Sequence, residues 1–304
     1  MTLQPGTGPL LNGTVDDRDW DLGFGAWDLT ESHFRGWAKP GPIPPGASSS
    51  PLIPPDETLD AVSGHFRIFQ LRDGHRFSTD DVVTAWYGTT WVPTAATVLD
   101  LGSGIGSVAT IAAWRLPGAH VVTIEAQPES VRLARKSAAY NGLTDRCDIR
   151  EGDFRDAGSL GGDERFDLVL GSPPYFPAGT GIEGDHAQKV ACRFELRGDI
   201  RDYARVAARH LAAGGLFACI FPEEQRGRVE DAAADAGLCI VRTRPVVFRE
   251  GQPPLVALFA MTRASDLPAN MPAPWVEPAL VIRTAAGDVH PEYAAVKLAV
   301  GFPP

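Results

Sequence analysis

Thr97-Val-Leu-Asp-Leu-Gly-Ser-Gly-Ile-Gly-Ser107 decides how the rest of this 304-residue chain is read. A β-branched, apolar strand runs into a turn with glycine at 102, 104 and 106, and an apolar helix, Val108 to Leu116, follows at once. Glycines let the turn tighten and let backbone amides approach a ligand at the helix N-terminus. Ser107 leaves the run one glycine short of Gly-x-Gly-x-x-Gly, the fingerprint that seats a dinucleotide pyrophosphate. Asp100 argues against that ligand. A carboxylate just before the turn repels phosphate and attracts a cationic amino-acid moiety.

Outward from the turn, acids recur at the ends of apolar runs. The strand Val121 to Glu125 ends in a carboxylate, with Ala126 after it, that can hold both hydroxyls of a ribose. Pro128 opens the next helix, Glu129 to Tyr140, and Gly142 ends it. A third strand around Cys147 to Arg150 leads into Gly152-Asp153-Phe154, where Asp153 is suited to accept from an adenine amino group and Phe154 to pack on the ring. At successive strand ends of one parallel sheet, such residues converge on one crevice.

The apolar run Phe166 to Leu170 leads to Ser172-Pro173-Pro174-Tyr175. Two consecutive prolines donate no backbone hydrogen bond, so they end a strand and leave carbonyls facing the cleft beyond. The Ser172 hydroxyl and Pro173 carbonyl can accept from a planar exocyclic amine, and the Tyr175 ring can stack on the group carrying it. Alone, Pro-Pro reads more readily as an ordinary strand-ending turn. Downstream of the glycine turn and the acids, it points to amine methylation.

Hydrophobic residues make up 44% of the chain, which suits one large α/β domain. The longest apolar runs, near Leu216–Phe221 and Leu255–Met261, are strand-sized, and the amino terminus has neither a basic start nor an apolar signal segment. The expectation is a cytoplasmic protein without a membrane span. Cysteines 147, 192, 219 and 239 form no Cys-x-x-Cys pair and read as reduced, packed thiols. The seven histidines show no metal-ligand spacing, and no metal is expected. The absence of Gly-x-Ser-x-Gly removes the commonest serine hydrolase reading.

Residues 1–60 form a Gly- and Pro-rich extension, either flexible or docked through Trp20, Phe24, Trp27, Phe34 and Trp37. Residues 61–304 form the catalytic domain, with its core at about 96–264. Phe66–Leu71 reads as a strand and Thr79–Trp86 as a helix capped by Ser78 or Thr79. Downstream come helix Ile200–Ala212, a stop at Gly214-Gly215, strand Leu216–Phe221, helix Glu223–Ala236 and strands Cys239–Phe248 and Leu255–Thr262. No helix separates the last two strands, so they pair antiparallel in an otherwise parallel sheet.

These motifs resemble the class I S-adenosylmethionine-dependent methyltransferases, over roughly residues 66–303. Within them the chain is similar to the bacterial family that methylates N6 of an adenosine beside the anticodon of tRNA1(Val). Phe77-Ser-Thr-Asp-Asp-Val-Val-Thr-Ala-Trp86 resembles that family's Thr-Asp-Gly segment, and Ser172-Pro-Pro-Tyr-Phe176 its Asn-Pro-Pro-Tyr-Phe. Ala191-Cys-Arg-Phe-Glu195, Arg249-Glu-Gly-Gln-Pro-Pro254 and Gly287-Asp-Val-His-Pro-Glu-Tyr293 resemble further signatures. Ser172 stands where the family has Asn, Asp81 where it has glycine, and the extension lies outside its pattern.

The resemblance implies a Rossmann-like α/β fold: a mostly parallel seven-stranded sheet, one antiparallel strand, helices on both faces. It implies S-adenosyl-L-methionine held by Asp100, Gly102, Gly104, Gly106, Glu125, Ala126, Asp153 and Phe154. The acceptor amine falls to Ser172, Pro173, Pro174 and Tyr175, with Phe176 beside them and tRNA as the partner. DNA adenine-N6 or cytosine-N4 methylation, protein-glutamine N5-methylation and a non-enzymatic cofactor-binding adaptor are the competing readings.

Charge bears on the partner. The chain carries 28 basic and 38 acidic residues, a formal −10. Nine acids and three bases lie in residues 1–60, so 25 bases face 29 acids in the remainder, and phosphate binding needs a local basic face. Lys189, Arg193, Arg197, Arg201, Arg205 and Arg209 recur at fourfold spacing after the acceptor motif. Arg193, Arg197 and Arg201 are the expected RNA contacts. The competing reading is a solvated helix face balanced by Glu195, Asp199 and Asp202.

Overall fold

The computed structural model describes residues 33–34, 36–177, 188, 194–268 and 273–303. Trp20, Phe24, Trp27, Lys189, Cys192 and Arg193, and the side chain of Phe34, lie outside what is described. A two-strand ladder, β1 (His33–Phe34) and β2 (Trp37–Ala38), precedes a 3-10 turn at Pro45–Ser48 and the antiparallel hairpin β3 (Glu57–Ser63) and β4 (Phe66–Leu71). Then follow α1 (Thr79–Trp91), β5 (Thr97–Leu101), α2 (Ser107–Arg115), β6 (His120–Glu125), α3 (Pro128–Asn141), β7 (Cys147–Glu151) and β8 (Phe166–Gly171). The second half holds α4 (Ile200–His210), β9 (Leu211–Pro222), α5 (Arg226–Asp235), β10 (Leu238–Arg249), β11 (Val256–Arg263), β12 (Trp275–Val276), β13 (Leu280–Arg283) and α6 (Pro291–Ala299).

The main sheet runs β12-β10-β11-β9-β8-β5-β6-β7, with β13 also on β10, nine strands in all. Seven of them follow the expected plan, parallel except for β11, which is antiparallel to both β9 and β10. The other two, β12 and β13, add parallel to the outer edge of β10. They are short edge pieces with no period long enough to be read from sequence.

Alternation puts successive side chains on opposite faces. Ala218, Ile220, Leu258 and Ala260 pack with α1, α2, α3, α6 and the hairpin, whereas Phe217, Cys219, Phe221, Ala257 and Phe259 pack with α4 and α5. Truncating a fully buried ring such as Phe217 or Phe259 to alanine costs roughly 3–5 kcal/mol. In α4 the buried residues Ile200, Tyr203, Ala204 and Ala207 follow helical spacing and seat that helix on the second face.

Three boundaries differ from expectation. The glycine pair does not separate helix from strand: α4 stops at His210 and β9 begins at Leu211. Phe166 pairs with Leu211 and Leu168 with Leu216, so residues 212–215 are looped out as an irregularity within β9, with Gly214 at φ +70°. The helix expected from Glu223 opens as a 3-10 turn, Glu223–Gln225, before α5. The hairpin starts at Glu57, inside the segment expected as extension. Glu57 is buried and accepts from Arg132 (2.8 Å) and Lys136 (2.6 Å) of α3. Just before it, Gly41 lies against the Trp114 indole and Gly46 against the Tyr140 ring.

Candidate active site

Parallel register lines up the strand ends. Glu125 pairs with Glu151, Leu101 with Ile124, and Leu101 again with Gly171. Gly102, Ala126, Gly152 and Ser172 therefore leave the sheet along one edge, at the carboxyl ends of its strands, where α/β folds bind ligands. The glycine turn and the proline pair emerge side by side.

Gly102, Gly104 and Gly106 all have positive φ (+60°, +53° and +81°). A Cβ on Gly102 would lie 2.2 Å from the Tyr203 hydroxyl, whereas one on Gly104 would meet nothing within 4 Å. Gly102 thus serves internal packing and Gly104 faces open space. Asp100 is buried and accepts from the Ala109 amide (3.1 Å) in the first turn of α2. Burial, with Asp81 and Glu125 close by, holds its pKa well above the usual carboxylate range. Glu125 accepts from Gly104 N (2.9 Å) and Gln127 N (2.7 Å). Its pKa is raised by burial and drawn back by those amides. Half-buried Ala126 follows it.

Asp153 is clamped by Arg155, whose Nε (2.9 Å) and Nη2 (2.5 Å) both reach its carboxylate, and that pairing lowers its pKa. Phe154 is buried edge-on to Tyr203, with ring centroids 4.7 Å apart. These residues suit S-adenosylmethionine: a buried carboxylate for its cationic end, Glu125 for ribose hydroxyls, and open backbone at Gly104. The buried Ser103 hydroxyl, which has no partner among the described residues, is left for a ligand to satisfy.

On the acceptor side, Ser172 and Pro174 are half-buried and Pro173 is buried. The Tyr175 hydroxyl donates to Asp80 of α1 (2.6 Å), its carbonyl accepts from Gln225 (3.1 Å), and its ring meets Phe221 edge-on at 5.8 Å. Ser172 lies within hydrogen-bonding reach of the Tyr175 hydroxyl. Burial pushes Asp80 up to about 6, against the Tyr175 bond, and burial likewise pushes Asp81 up to about 6. Asp81, where the family has glycine, completes a capping box with Ser78 and also takes a hydrogen bond from Ser107 at the start of α2. Sequence reasoning missed Asp80, Gln225 and Tyr203 as site residues. Only Asp80 had a signal, its place in the Thr-Asp segment.

Phe176 is 47% exposed and bridges to Phe194. Arg197 lies close enough to Glu125 and Asp153 to stabilise both carboxylates, on the cofactor side of the crevice. Arg201 is paired with Asp235 and Asp231 of α5, and Arg205 with Asp202. Two of the row's described arginines, Arg201 and Arg205, are therefore engaged in local and helix-to-helix ion pairs.

A family profile described as a methyltransferase domain matches residues 94–219. The tRNA1(Val) (adenine(37)-N6)-methyltransferase of Porphyromonas gingivalis is 30% identical over 235 residues, covering 75% of this chain and 89% of that protein. The release factor glutamine methyltransferase of Geobacter sulfurreducens is 41% identical over 124 residues, covering 41% and 38% respectively. Among solved structures, a predicted O-methyltransferase from Agrobacterium tumefaciens superposes with a TM-score of 0.54 at 19% identity, over 74% of this chain and 98% of that one, and shares the fold. No described helix is long and apolar enough to cross a membrane. The glycine turn and its acids, the proline pair beside them and a likeness running through most of both chains make this an S-adenosylmethionine-dependent methyltransferase of class I, belonging to the tRNA1(Val) (adenine(37)-N6)-methyltransferase family.

Proposed function

We propose that this enzyme methylates N6 of an adenosine beside the anticodon of a tRNA. The observation that carries this reading is the adjacency of Gly102 and Ser172 on the paired strands β5 and β8, which puts an amine-accepting motif next to the cofactor turn. Support for the tRNA acceptor comes from the length of the likeness: the glutamine methyltransferase relative matches only a core segment.

The cofactor supplies an electrophilic methyl group on a sulfonium. The chain supplies orientation and proton handling. Adenine N6 is a poor nucleophile because its lone pair is delocalised into the ring. Hydrogen bonds from N6 to the Pro173 carbonyl and Ser172 hydroxyl favour the pyramidal, reactive form, and stacking on Tyr175 orients the base. From Ser172 a chain of hydrogen bonds runs through the Tyr175 hydroxyl to Asp80. A carboxylate with a pKa of about 6 is suited to receive the surplus N6 proton near neutral pH. The target base must leave its stack, which costs less in a loop than in a duplex.

Incubation with labelled cofactor and separated cellular tRNA, rRNA, DNA and protein tests the reading. N6-methyladenosine mapped to the anticodon loop of tRNA is the expected product. Label confined to protein glutamine, or to cytosine, would replace it.

A further inference from the structure

We infer that Arg249, Arg283 and Lys297 form the surface that grips the phosphates of the RNA substrate. The inference rests on the tRNA reading above and assigns to it a contact face that includes α6, which packs on the other face of the sheet from α4.

Arg249 ends β10 and Arg283 ends β13, and the two are direct register partners in that parallel ladder. Like charges placed opposite each other on a sheet are destabilising. Among the described residues neither arginine forms an ion pair. Arg249 Nη1 reaches the Ala285 carbonyl (3.4 Å) and Arg283 Nη1 the Gly287 carbonyl (2.9 Å), so both guanidiniums converge on one turn and bond only to neutral oxygens. Lys297, on α6, is half-buried near Arg283 without an ion-pair partner, and its pKa is lowered by burial and by that arginine.

The nearby carboxylates are held by backbone amides: Glu250 accepts from Ala285 N (3.1 Å) and Glu292 from Val281 N (3.0 Å), and among the described residues neither makes an ion pair with the three cations. In a chain of net charge −10 whose Arg201 and Arg205 are paired internally, three cations from separate elements, none in an ion pair among the described residues, mark an anion site. Guanidiniums at the rim suit phosphate, which they can bind bidentately.

The site is also joined to the chemistry. Tyr293 of α6 faces Arg283, hydrogen-bonds the Thr79 side chain and lies near Asp80, the partner of Tyr175. A nucleic acid held on these cations would thus run past the wall that anchors the acceptor tyrosine.

The test is binding of a fluorescent unmodified tRNA transcript between about 50 and about 200 mM salt. The Arg249→Ala/Arg283→Ala variant is expected to lower the salt slope by about two, one per lost phosphate contact, and to weaken binding about 10- to 100-fold with unchanged cofactor affinity. Arg249 is exposed, so Arg249→Glu keeps the fold while reversing one charge, and it should weaken binding further than alanine does. Arg201→Ala/Arg205→Ala should leave the slope as it is. If wild type binds tRNA steeply and Arg249→Glu changes nothing, the surface is refuted and the tRNA reading stands. If wild type prefers rRNA or duplex DNA and Arg249→Glu flattens that slope, the surface stands and the tRNA reading falls.

Discussion

Both halves of the crevice hold acids with a raised pKa, yet the two halves are built differently. In the cofactor half, Asp100 and Glu125 are satisfied by backbone amides of their own or the adjoining strand-turn-helix unit, Ala109, Gly104 and Gln127. In the acceptor half, Asp80 is satisfied by a side chain 95 positions away, Tyr175, which is also tied to Gln225. The first arrangement exists as soon as two consecutive strand-turn-helix units, β5–α2 and β6–α3, have paired. The second exists only once α1, β8 and the start of α5 have come together. A local motif can be pre-organised cheaply, whereas a distributed one depends on packing and is the natural place for substrate specificity to change.

The largest expected contrast lies within the cofactor turn. Gly102→Ala forces a Cβ onto the Tyr203 hydroxyl at a positive φ and should destabilise the fold by about 2–6 kcal/mol in urea titrations. Gly104→Ala meets no neighbouring atom, so it should cost only about 1–2 kcal/mol of stability while abolishing measurable cofactor binding by calorimetry. Equal destabilisation by the two would show that the turn is not divided between packing and ligand.

Asp81 sharpens the comparison because it stands between the halves. Its folded pKa of about 6 exceeds the ordinary 3.8, so the unfolded chain releases this proton first, and stability falls as pH rises from about 4 to 6. Asp81→Asn keeps an oxygen for the Ser78 cap and removes the buried charge. It should stabilise by about 1–3 kcal/mol at pH 7 and by nothing below pH ~4, read from denaturation midpoints at the two pH values. A pH-independent effect would mean that the carboxylate is not strained.

Tyr175→Phe tests the distributed half alone. It keeps the ring but removes the hydroxyl that stabilises ionised Asp80, so the Asp80 pKa should rise and the acid limb of the kcat profile move to higher pH. Turnover near neutral pH should fall about tenfold, one hydrogen bond to a charged group, with cofactor affinity unchanged. A profile that does not move would detach Asp80 from the chemistry. The smallest effect is reserved for Arg201→Ala, an exposed helix-to-helix pair expected to change stability by about 0–1 kcal/mol. A larger loss would make the α4–α5 ion pairs part of the scaffold.

The local half was the legible half. Asp100, the three glycines, Glu125 and Asp153 sit at strand ends that strand-helix alternation announces, and the seven-strand plan with its antiparallel β11 follows from the same alternation. The fourfold arginine spacing was equally visible, but its partners Asp231 and Asp235 lie on another helix, so the ion pairing of Arg201 was not. The glycine pair at 214–215 looked like a helix stop because a bulge and a stop use the same residue for the same freedom of φ.

By itself, the sequence determined what is local or periodic: element type, the strand faces that alternate between two cores, the cofactor turn and the proline-ended strand. These follow from backbone sterics and from side-chain period, which act over a few residues. Tertiary structure alone decided which acid meets which donor, that Tyr175 leans on Asp80, that Arg155 occupies Asp153, and that Arg249 and Arg283 are register partners at the sheet edge. Hydrogen bonds and charges reach only a few ångströms, so their outcome depends on how distant segments pack.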